Sequence, residues 1–267
     1  MVGDDMARDL LSFGRPILVL GDPGQLPPIK GEGAFTLATP DVMLTEIHRQ
    51  AAESAVVRLA TWAREGTAIP YGEHDPHVWK LPRFGVAPEQ MLRGGQVIVG
   101  RNATRFQLNM SMKGAAGFDA PYPEGRGEKI ICLKNRNDVG IVNGMFVTLD
   151  AVEHVDERLF RASLANEDGQ PVGSKRADGS VGKLTVYKGH FDDHVRFDKD
   201  RGERDFKVRK GTVEAAWGWA ITCHKAQGSQ WENVIVWDDG LGRTPQDRAR
   251  WLYTAITRAE RGLVLLD

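Results

Sequence analysis

Four short segments concentrate the side chains that could act on a phosphate or on a nucleic-acid backbone. Residues 21–28 (GDPGQLPP) form a Gly- and Pro-rich loop in which Gln25 presents an amide able to hold a water, a phosphate or a neighbouring loop. A rigid turn between domains has the same composition, so the pattern leaves both readings open. Residues 44–50 (LTEIHRQ) place Glu46, His48 and Arg49 together. A guanidinium there offers rigid, charge-assisted donors to phosphate, and equally suits a surface salt bridge. In residues 220–230 (AITCHKAQGSQ), Thr222, His224, Lys225, Gln227 and Ser229 crowd polar groups toward Gly228, which reads as a helix end. Helix termini and backbone amides beside glycine favour phosphate. Residues 252–259 (LYTAITRA) end a buried helix with Arg258, while Tyr253 and Ile256 are expected to face the core. An arginine in a last turn also simply complements the helix dipole. A Cys223–His224 nucleophilic pair is disfavoured, because adjacent residues on a helix point in different directions.

These segments need a scaffold. Residues 4–13 have a helical pattern, with Met6, Ala7, Leu10 and Leu11 on one side, and Gly14 ends it. Residues 16–20 (PILVL) read as a buried strand that leads into the glutamine loop, at the end of a strand where open sheets place ligands. One helix and one strand cannot cover each other, so this segment either borrows a neighbouring sheet or is a remnant of one. Residues 51–65 carry the clearest helix, with Ala52, Ala55, Val56, Leu59, Ala60 and Ala63 at three- and four-residue spacing and Gly66 as its stop. Residues 66–93 read as surface loop or peripheral strands. A strand at 96–99 then precedes a helix, capped by Asn102 and running to about Met112.

The grammar changes near residue 120, at Pro121, Pro123, Gly125 and Gly127. Short strands follow at 129–133, 145–152, 158–164 and 182–187, with a further one at 203–208. Their Gly, Asn and Asp turns predict a small, mostly antiparallel barrel over residues 121–211. Helix returns near Ala220, then a strand at 234–237, a helix at 245–257 and a strand at 263–266. Thr244, Pro245 and Asp247 give that helix an N-cap, an N1 proline and an acidic N3 residue. The expected organisation is an α/β domain split into 34–120 and 212–267 around the inserted barrel 121–211, with residues 1–33 preceding it.

Composition bounds the function less than it bounds the class. Hydrophobic residues are 41% and charged residues 27%, an ordinary globular balance. The apolar runs are too short to span a membrane, and residues 1–10 lack the basic-then-apolar pattern of a secretory signal. A net charge of -1 means that any polyanion site must come from local clusters of Lys and Arg. One such stretch holds Lys183, Lys188, Arg196, Lys199, Arg201, Arg204, Lys207, Arg209 and Lys210. It is interleaved with Asp192, Asp193, Asp198, Asp200, Glu203 and Asp205, which is the pattern of a solvated face as well as of a DNA-facing one. Two cysteines, Cys132 and Cys223, make no disulfide framework, and the seven histidines are scattered along the chain and give a metal site little support. A cytoplasmic location is expected.

Taken in order, the four segments resemble motifs III, IV, V and VI of superfamily 1 helicases. The group in question moves five-prime to three-prime and includes the RecD-type exonuclease V alpha subunit and Dda-like enzymes. Thr104, Arg105, Leu108 and Asn109 resemble the stretch between motifs IV and V, and Asn143-Gly144 resembles the start of the inserted SH3-like barrel. The resemblance covers essentially the whole chain. It implies a RecA-like, P-loop NTPase-type C-terminal helicase domain with an inserted SH3-like barrel, preceded by the end of a first RecA-like domain. ATP with Mg2+ would sit between two such domains and single-stranded DNA would cross them. The resemblance implies Gln25 as the γ-phosphate sensor, and Arg49 and Arg258 as arginine fingers. It implies Gly24, Lys225, Gln227, Gly228 and Gln230 on the nucleotide side, and Thr104, Thr222 and His224 on the DNA. Gln230 stands where the family carries an acid that approaches the ribose.

The departure is at the front. No Gly-x4-Gly-Lys-[Ser/Thr] run and no following Asp-Glu strand occur in the 267 residues, so Walker A and Walker B are absent. The chain starts where the family's motif II ends, which implies an N-terminal RecA-like region as a missing partner and no tight nucleotide binding by this chain alone. Exonuclease, replication or repair subunits are the further partners that the resemblance implies. Two classes of function stand against each other: the C-terminal motor portion of an ATP-dependent DNA helicase, and a non-catalytic module binding DNA or protein. An in-frame P-loop upstream separates them.

Overall fold

The computed structural model describes residues 2–27, 35, 40–43, 54–125, 127–174, 177–192 and 205–267. The LTEIHRQ segment with Arg49, and Arg196, Lys199, Arg201 and Arg204 of the mixed-charge stretch, lie outside the described residues. The chain divides into two compact units. One comprises Met1–Val86, Gly94–Gly100 and Thr222–Asp267, the other Ala87–Arg93 and Arg101–Ile221. The architecture is mixed α/β of RecA-like type with an inserted closed β-barrel.

In the first unit the sheet is built from β1 (Gly72–Asp75), β2 (Val78–Leu81), β3 (Gln96–Val99), β11 (Trp231–Trp237) and β12 (Ala259–Leu266). The order is β1-β2-β12-β11-β3, and the short strand β10 (Ala220–Thr222), where the chain passes between units, closes the list. β2, β12, β11 and β3 run parallel; β1 and β2 form an antiparallel hairpin at the edge. β3 is buried at all four residues, as a parallel strand covered on both faces must be. Two helices, Ala55–Glu65 and Pro245–Ile256, pack against each other and against β12. Leu59 and Trp251 are fully buried at that contact layer.

The signals that were strongest in the sequence set the ends of these helices. Gly66 adopts φ +72 and stops the first, with its N–H on the Ala63 carbonyl. Thr244 and Asp247 form a reciprocal capping box, with Pro245 in the first turn. The first helix is described over Ala55–Glu65 behind Ser54, with residues 51–53 of its expected span outside the described residues, and the last strand begins at Ala259 rather than 263. Of the two readings of residues 66–93, the peripheral strands are found, as the β1–β2 hairpin at the sheet edge, and the helix at Pro88–Gly94 was not expected.

The N-terminal segment departs most. The helix forms at Asp4–Ser12, but only Ala7 is buried, and Met6, Leu10 and Leu11 face solvent. Residues 16–20 are not a buried strand. They pair with no strand among the described residues, and Leu18 and Leu20 are 84% and 86% exposed. Apolar composition marks a segment that can be buried; a sheet alongside is what buries it.

In the second unit five strands close on themselves: β4 (Lys129–Cys132), β5 (Phe146–His154), β6 (Leu159–Ala165), β8 (Leu184–Tyr187) and β9 (Val213–Trp217). The order β5-β4-β9-β8-β6 is completed by the β5–β6 pairing, and β7 (Pro171–Val172) extends β6. All pairs are antiparallel except β8 with β9. Residues 203–208 were expected as strand, and the described part turns instead into a short helix, Phe206–Arg209. The last barrel strand lies beyond 211, because Val213–Trp217 completes the cylinder between β4 and β8. Alternation on β6 sends Phe160, Ala162 and Leu164 inward. The helix Asn102–Ala115 is fastened to the barrel by Lys113. Its buried ammonium donates to the Ala120 carbonyl (2.7 Å), pairs with Glu124 (3.0 Å) and Glu128 (3.3 Å), and lies over the Trp217 ring.

β9 is buried throughout, so its one acid must be paired. Glu214 accepts from His190 (2.8 Å) and Arg209 (2.5 Å), with Lys134 at 3.5 Å. Burial pushes its carboxyl up, but the His190 and Arg209 hydrogen bonds outweigh that and hold it down at about 2. A depressed carboxylate stabilises the fold above its unfolded value, and that stabilisation is lost as pH falls through the folded value. Glu214→Gln should therefore lower stability by about 2 kcal/mol at pH 7. Urea unfolding at a series of pH values should show the gap to the parent closing between the ordinary carboxylate range and about pH 2. A gap that does not change with pH would remove the ion pair from the account.

Candidate functional site

The glutamine loop is shaped by its own aspartate. Asp22 accepts the Gly24 N–H on Oδ1 (2.9 Å), and the Asp22 carbonyl accepts the Gln25 N–H (3.1 Å). Pro23 sits at the position of the turn that its ring pre-sets. The Gln25 amide donates to Asp22 Oδ2 (3.2 Å). Gly24 lies where a β-carbon would stand 3.2 Å from both Arg64 Cδ and Tyr253 Cε1, so close approach favours glycine there.

The loop is docked on the helix Pro245–Ile256. The Tyr253 hydroxyl donates to Asp22 Oδ2 (2.7 Å), and the Leu26 N–H donates to Thr254 Oγ1 (2.8 Å). Gln227 completes the bracket by donating from Nε2 to the Leu26 carbonyl (2.9 Å). Tyr253 was expected to face the core; it is half-buried and points its hydroxyl to the loop, with Arg64 over its ring. Burial, and then the hydrogen bond to Asp22, pushes its phenol up to about 12, so it is a donor at any physiological pH.

Arg258 follows the same helix and is 7% exposed. Its Nε donates to the Thr254 carbonyl (3.1 Å), one terminal nitrogen to the Ser229 carbonyl (3.2 Å) and the other to Thr257 Oγ1 (3.1 Å). Among the described residues no carboxylate lies within ion-pair distance of it. A guanidinium held only by neutral oxygens retains both its charge and spare N–H groups for an anion. Burial lowers its pKa from the usual value.

The Thr222-to-Gln230 segment is less helical than its sequence suggests. Ala220–Thr222 is a strand, and Cys223–Ala226 is a single turn. That turn is too short to supply the terminus dipole expected for a phosphate. Gly228 turns the chain at φ +86 just beyond it. Thr222 is buried, His224 is half-buried with burial lowering its pKa, and Lys225, Gly228 and Gln230 are exposed. Cys223 is fully buried, its thiol pushed up to about 12 by burial, which removes it from nucleophilic chemistry.

In the second unit, Thr104 is half-buried in the first turn of Asn102–Ala115. Arg101, not Asn102, is the N-cap residue, and no side chain closes that cap. Asn109 is the residue of this stretch with a visible task. Its side-chain amide accepts the Ala220 N–H (3.0 Å) and donates to the Ala220 carbonyl (2.8 Å), bracketing one peptide as a paired strand would. The aromatic residues Phe191, Trp217 and Trp219 are buried against one another, Phe191 edge-on to Trp217 and Trp217 stacked on Trp219, so they are not base-stacking platforms. Of the described basic residues in the mixed stretch, Lys183 pairs with Glu153, Lys188 is buried on the Asp156 carbonyl and Arg209 is on Glu214. Lys207 and Lys210 are exposed. The structure therefore brings Gly24, Gln25, Gln227 and Arg258 into one neighbourhood. Asp22, Tyr253 and Thr254 are the members that the sequence reading left out, although all lie inside the motifs it singled out.

Residues 218–266 match the family described as UvrD-like helicase C-terminal domain. The ATP-dependent RecD2 DNA helicase of Deinococcus radiodurans is 26% identical over 285 aligned positions. The match takes in 97% of this chain and 34% of that protein, so the chain spans about a third of its curated relative. Among solved structures, Pif1 helicase from Candida albicans aligns with 92% of this chain and 62% of its own, at 16% identity and TM-score 0.49. Pif1 helicase from Bacteroides in complex with ADP-AlF3 and ssDNA aligns with 84% and 51%, at 16% identity and TM-score 0.45.

Asn109→Ala should cost about 3 kcal/mol, since it deletes two buried hydrogen bonds and leaves the Ala220 peptide unmet on that side. Asn109→Asp, which keeps the acceptor and loses the donor, should fall between the two. Chemical unfolding gives the ranking, and faster hydrogen exchange at the Ala220 amide in Asn109→Ala checks the cause. An unaltered midpoint would show that the bracket is not what holds this strand.

Proposed function

We propose that this chain is the C-terminal motor portion of an ATP-dependent, five-prime to three-prime DNA helicase, coupling ATP hydrolysis to movement along single-stranded DNA and to unwinding. The observation that carries the reading is the docking of the Gln25 loop onto the helix that delivers the buried Arg258, which no carboxylate among the described residues pairs with. A sensor amide and a finger guanidinium held against one scaffold are the parts by which phosphoryl transfer is felt and assisted. In this reading Gln25 senses the terminal phosphate and Arg49 and Arg258 stabilise its charge. Gly24, Lys225, Gln227, Gly228 and Gln230 shape the nucleotide side, and Thr104, Thr222 and His224 meet the DNA backbone. The identity to RecD2, spread over nearly the whole chain, supports it. The barrel is then the SH3-like insertion, running past the expected 211 to include Val213–Trp217, between the two halves of a second RecA-like domain. Residues 1–33 end a first RecA-like domain, a role supported by the exposure of Leu18 and Leu20 on an apolar segment that pairs with no strand among the described residues.

The residues present fit only part of the cofactor. Arg258 and Gln25 suit a phosphate, but no group of three or more His, Cys, Asp or Glu among the described residues could hold a metal ion. No P-loop sequence supplies the backbone cradle. No helix among the described residues is long and apolar enough to cross a membrane.

The test is DNA-stimulated phosphate release, measured on the 267-residue chain and on the same chain with its upstream coding region in place. The first should give background and the second strong stimulation. Arg258→Ala in the longer protein should cut turnover by about 10³-fold while DNA binding changes far less. DNA-dependent turnover by the shorter chain alone, or an Arg258→Ala protein that works normally, would overturn the reading.

A further inference from the structure

We infer that Tyr253 and Thr254 are positioning residues, forming a latch that fixes the glutamine loop on the same helical turn that holds Arg258. The inference rests on the helicase reading for its consequence and on geometry alone for its existence.

The loop reaches the helix through two adjacent residues. Tyr253 donates to Asp22 Oδ2 (2.7 Å), and that same oxygen accepts the Gln25 amide (3.2 Å). The phenol therefore sets the carboxylate that sets the glutamine. Thr254, fully buried, works in two directions. Its hydroxyl accepts the Leu26 N–H (2.8 Å) and donates to the Arg250 carbonyl (2.7 Å), so both its hydrogen-bonding roles are committed. Its carbonyl accepts from Arg258 Nε (3.1 Å) and from the Thr257 hydroxyl (3.0 Å), which itself accepts from Arg258 (3.1 Å). One residue thus touches the backbone beside Gln25 with its side chain and the finger arginine with its main chain.

Gln227 gives the latch a second jaw. It holds the Leu26 carbonyl through Nε2 (2.9 Å), while its Oε1 is buried without a hydrogen-bond partner among the described residues. An amide with one end engaged and the other unmet is poised to re-pair if the loop shifts. Arg258 can turn outward to an anion only by releasing Thr254, Thr257 and Ser229, and the first of these is also the loop's anchor. The latch therefore makes the positions of Gln25 and Arg258 depend on each other.

The experiment reads the latch first without nucleotide. Hydrogen exchange on the 267-residue chain should show residues 22–27 exchanging about ten-fold faster in Tyr253→Phe and in Thr254→Val, with Thr254→Ser close to the parent. Exchange in Leu263–Leu266 should stay unchanged, which separates loop release from unfolding. In the protein with its upstream region, Tyr253→Phe and Thr254→Val should lower kcat about ten-fold at nearly constant KM for ATP, and Thr254→Ser should restore it. Unaltered loop exchange in both variants overturns the latch whatever the kinetics. Faster exchange with normal kcat overturns its part in turnover. The helicase reading fails by a different result, namely Gln25→Ala and Arg258→Ala proteins with normal turnover.

Discussion

Taking the Arg258 guanidinium out of water costs several kcal/mol unless its N–H groups meet oxygen. The oxygens they meet belong to Thr254, Thr257 and Ser229, all neutral. A carboxylate would have satisfied the group more strongly and would also have cancelled it. Neutral acceptors keep the side chain folded away without spending its charge, and that is the compromise an arginine needs if it is to serve an anion arriving later. The rest of the first unit can be read as the support this requires. The capping box at Thr244 fixes where the helix starts, Trp251 and Leu59 fix its depth, and the parallel strands β11 and β12 fix where the chain resumes after Arg258. The backbone of Arg258 itself accepts the Trp231 N–H (2.9 Å), so the residue is tied into the sheet at the first register position of β11.

The second unit solves a different problem, that of ending an α/β segment and resuming it some hundred residues later. A closed barrel has no free edge to manage. Its entry is fastened by Lys113, whose ammonium is shared between Glu124, Glu128 and a carbonyl, and its exit by Asn109 on the Ala220 peptide. Both fasteners project from one helix, Asn102–Ala115, at positions 109 and 113, four residues apart and therefore on one face. The helix thereby joins the start and the finish of the barrel, which is why its sequence carries two buried polar residues where apolar ones would pack more cheaply.

Much of this was legible in the residues. The strand pattern announced the barrel, Gly66 and Thr244-Pro245-Asp247 marked helix ends, and three of the motifs hold the Gln25, Gln227 and Arg258 that the fold brings together. What was not legible has a physical cause in each case. Residues 16–20 carry the composition of a buried strand, but burial is a property of the neighbour, and no described strand adjoins them. Ala220–Thr222 lies in a segment read as helical, yet the Asn109 amide claims the Ala220 peptide and holds it extended. Val213–Trp217 lacks polar–apolar alternation because Glu214 is buried too, its charge met by His190 and Arg209 from elsewhere in the unit. Tyr253 looked like a core residue by spacing, and only the arrival of Asp22, 231 positions earlier, shows that its hydroxyl has a partner. Periodicity reports a segment's own preference; each of these exceptions turned instead on what does or does not lie beside the segment in the fold.

That distance bears on how the glutamine loop can signal. Within the loop, the Asp22 turn is local and would form in any context. Its orientation is not local, since Tyr253, Thr254 and Gln227 supply it from two other motifs. A loop whose shape is intrinsic and whose placement is borrowed can move as a rigid piece when the borrowed contacts exchange. Three hydrogen bonds of ordinary strength are worth about 0.5–1.5 kcal/mol each, enough to hold such a piece in one place and few enough that one strong anion contact can outbid them. The result is a locally shaped loop held beside a sequestered charge, with Thr254 in contact with both.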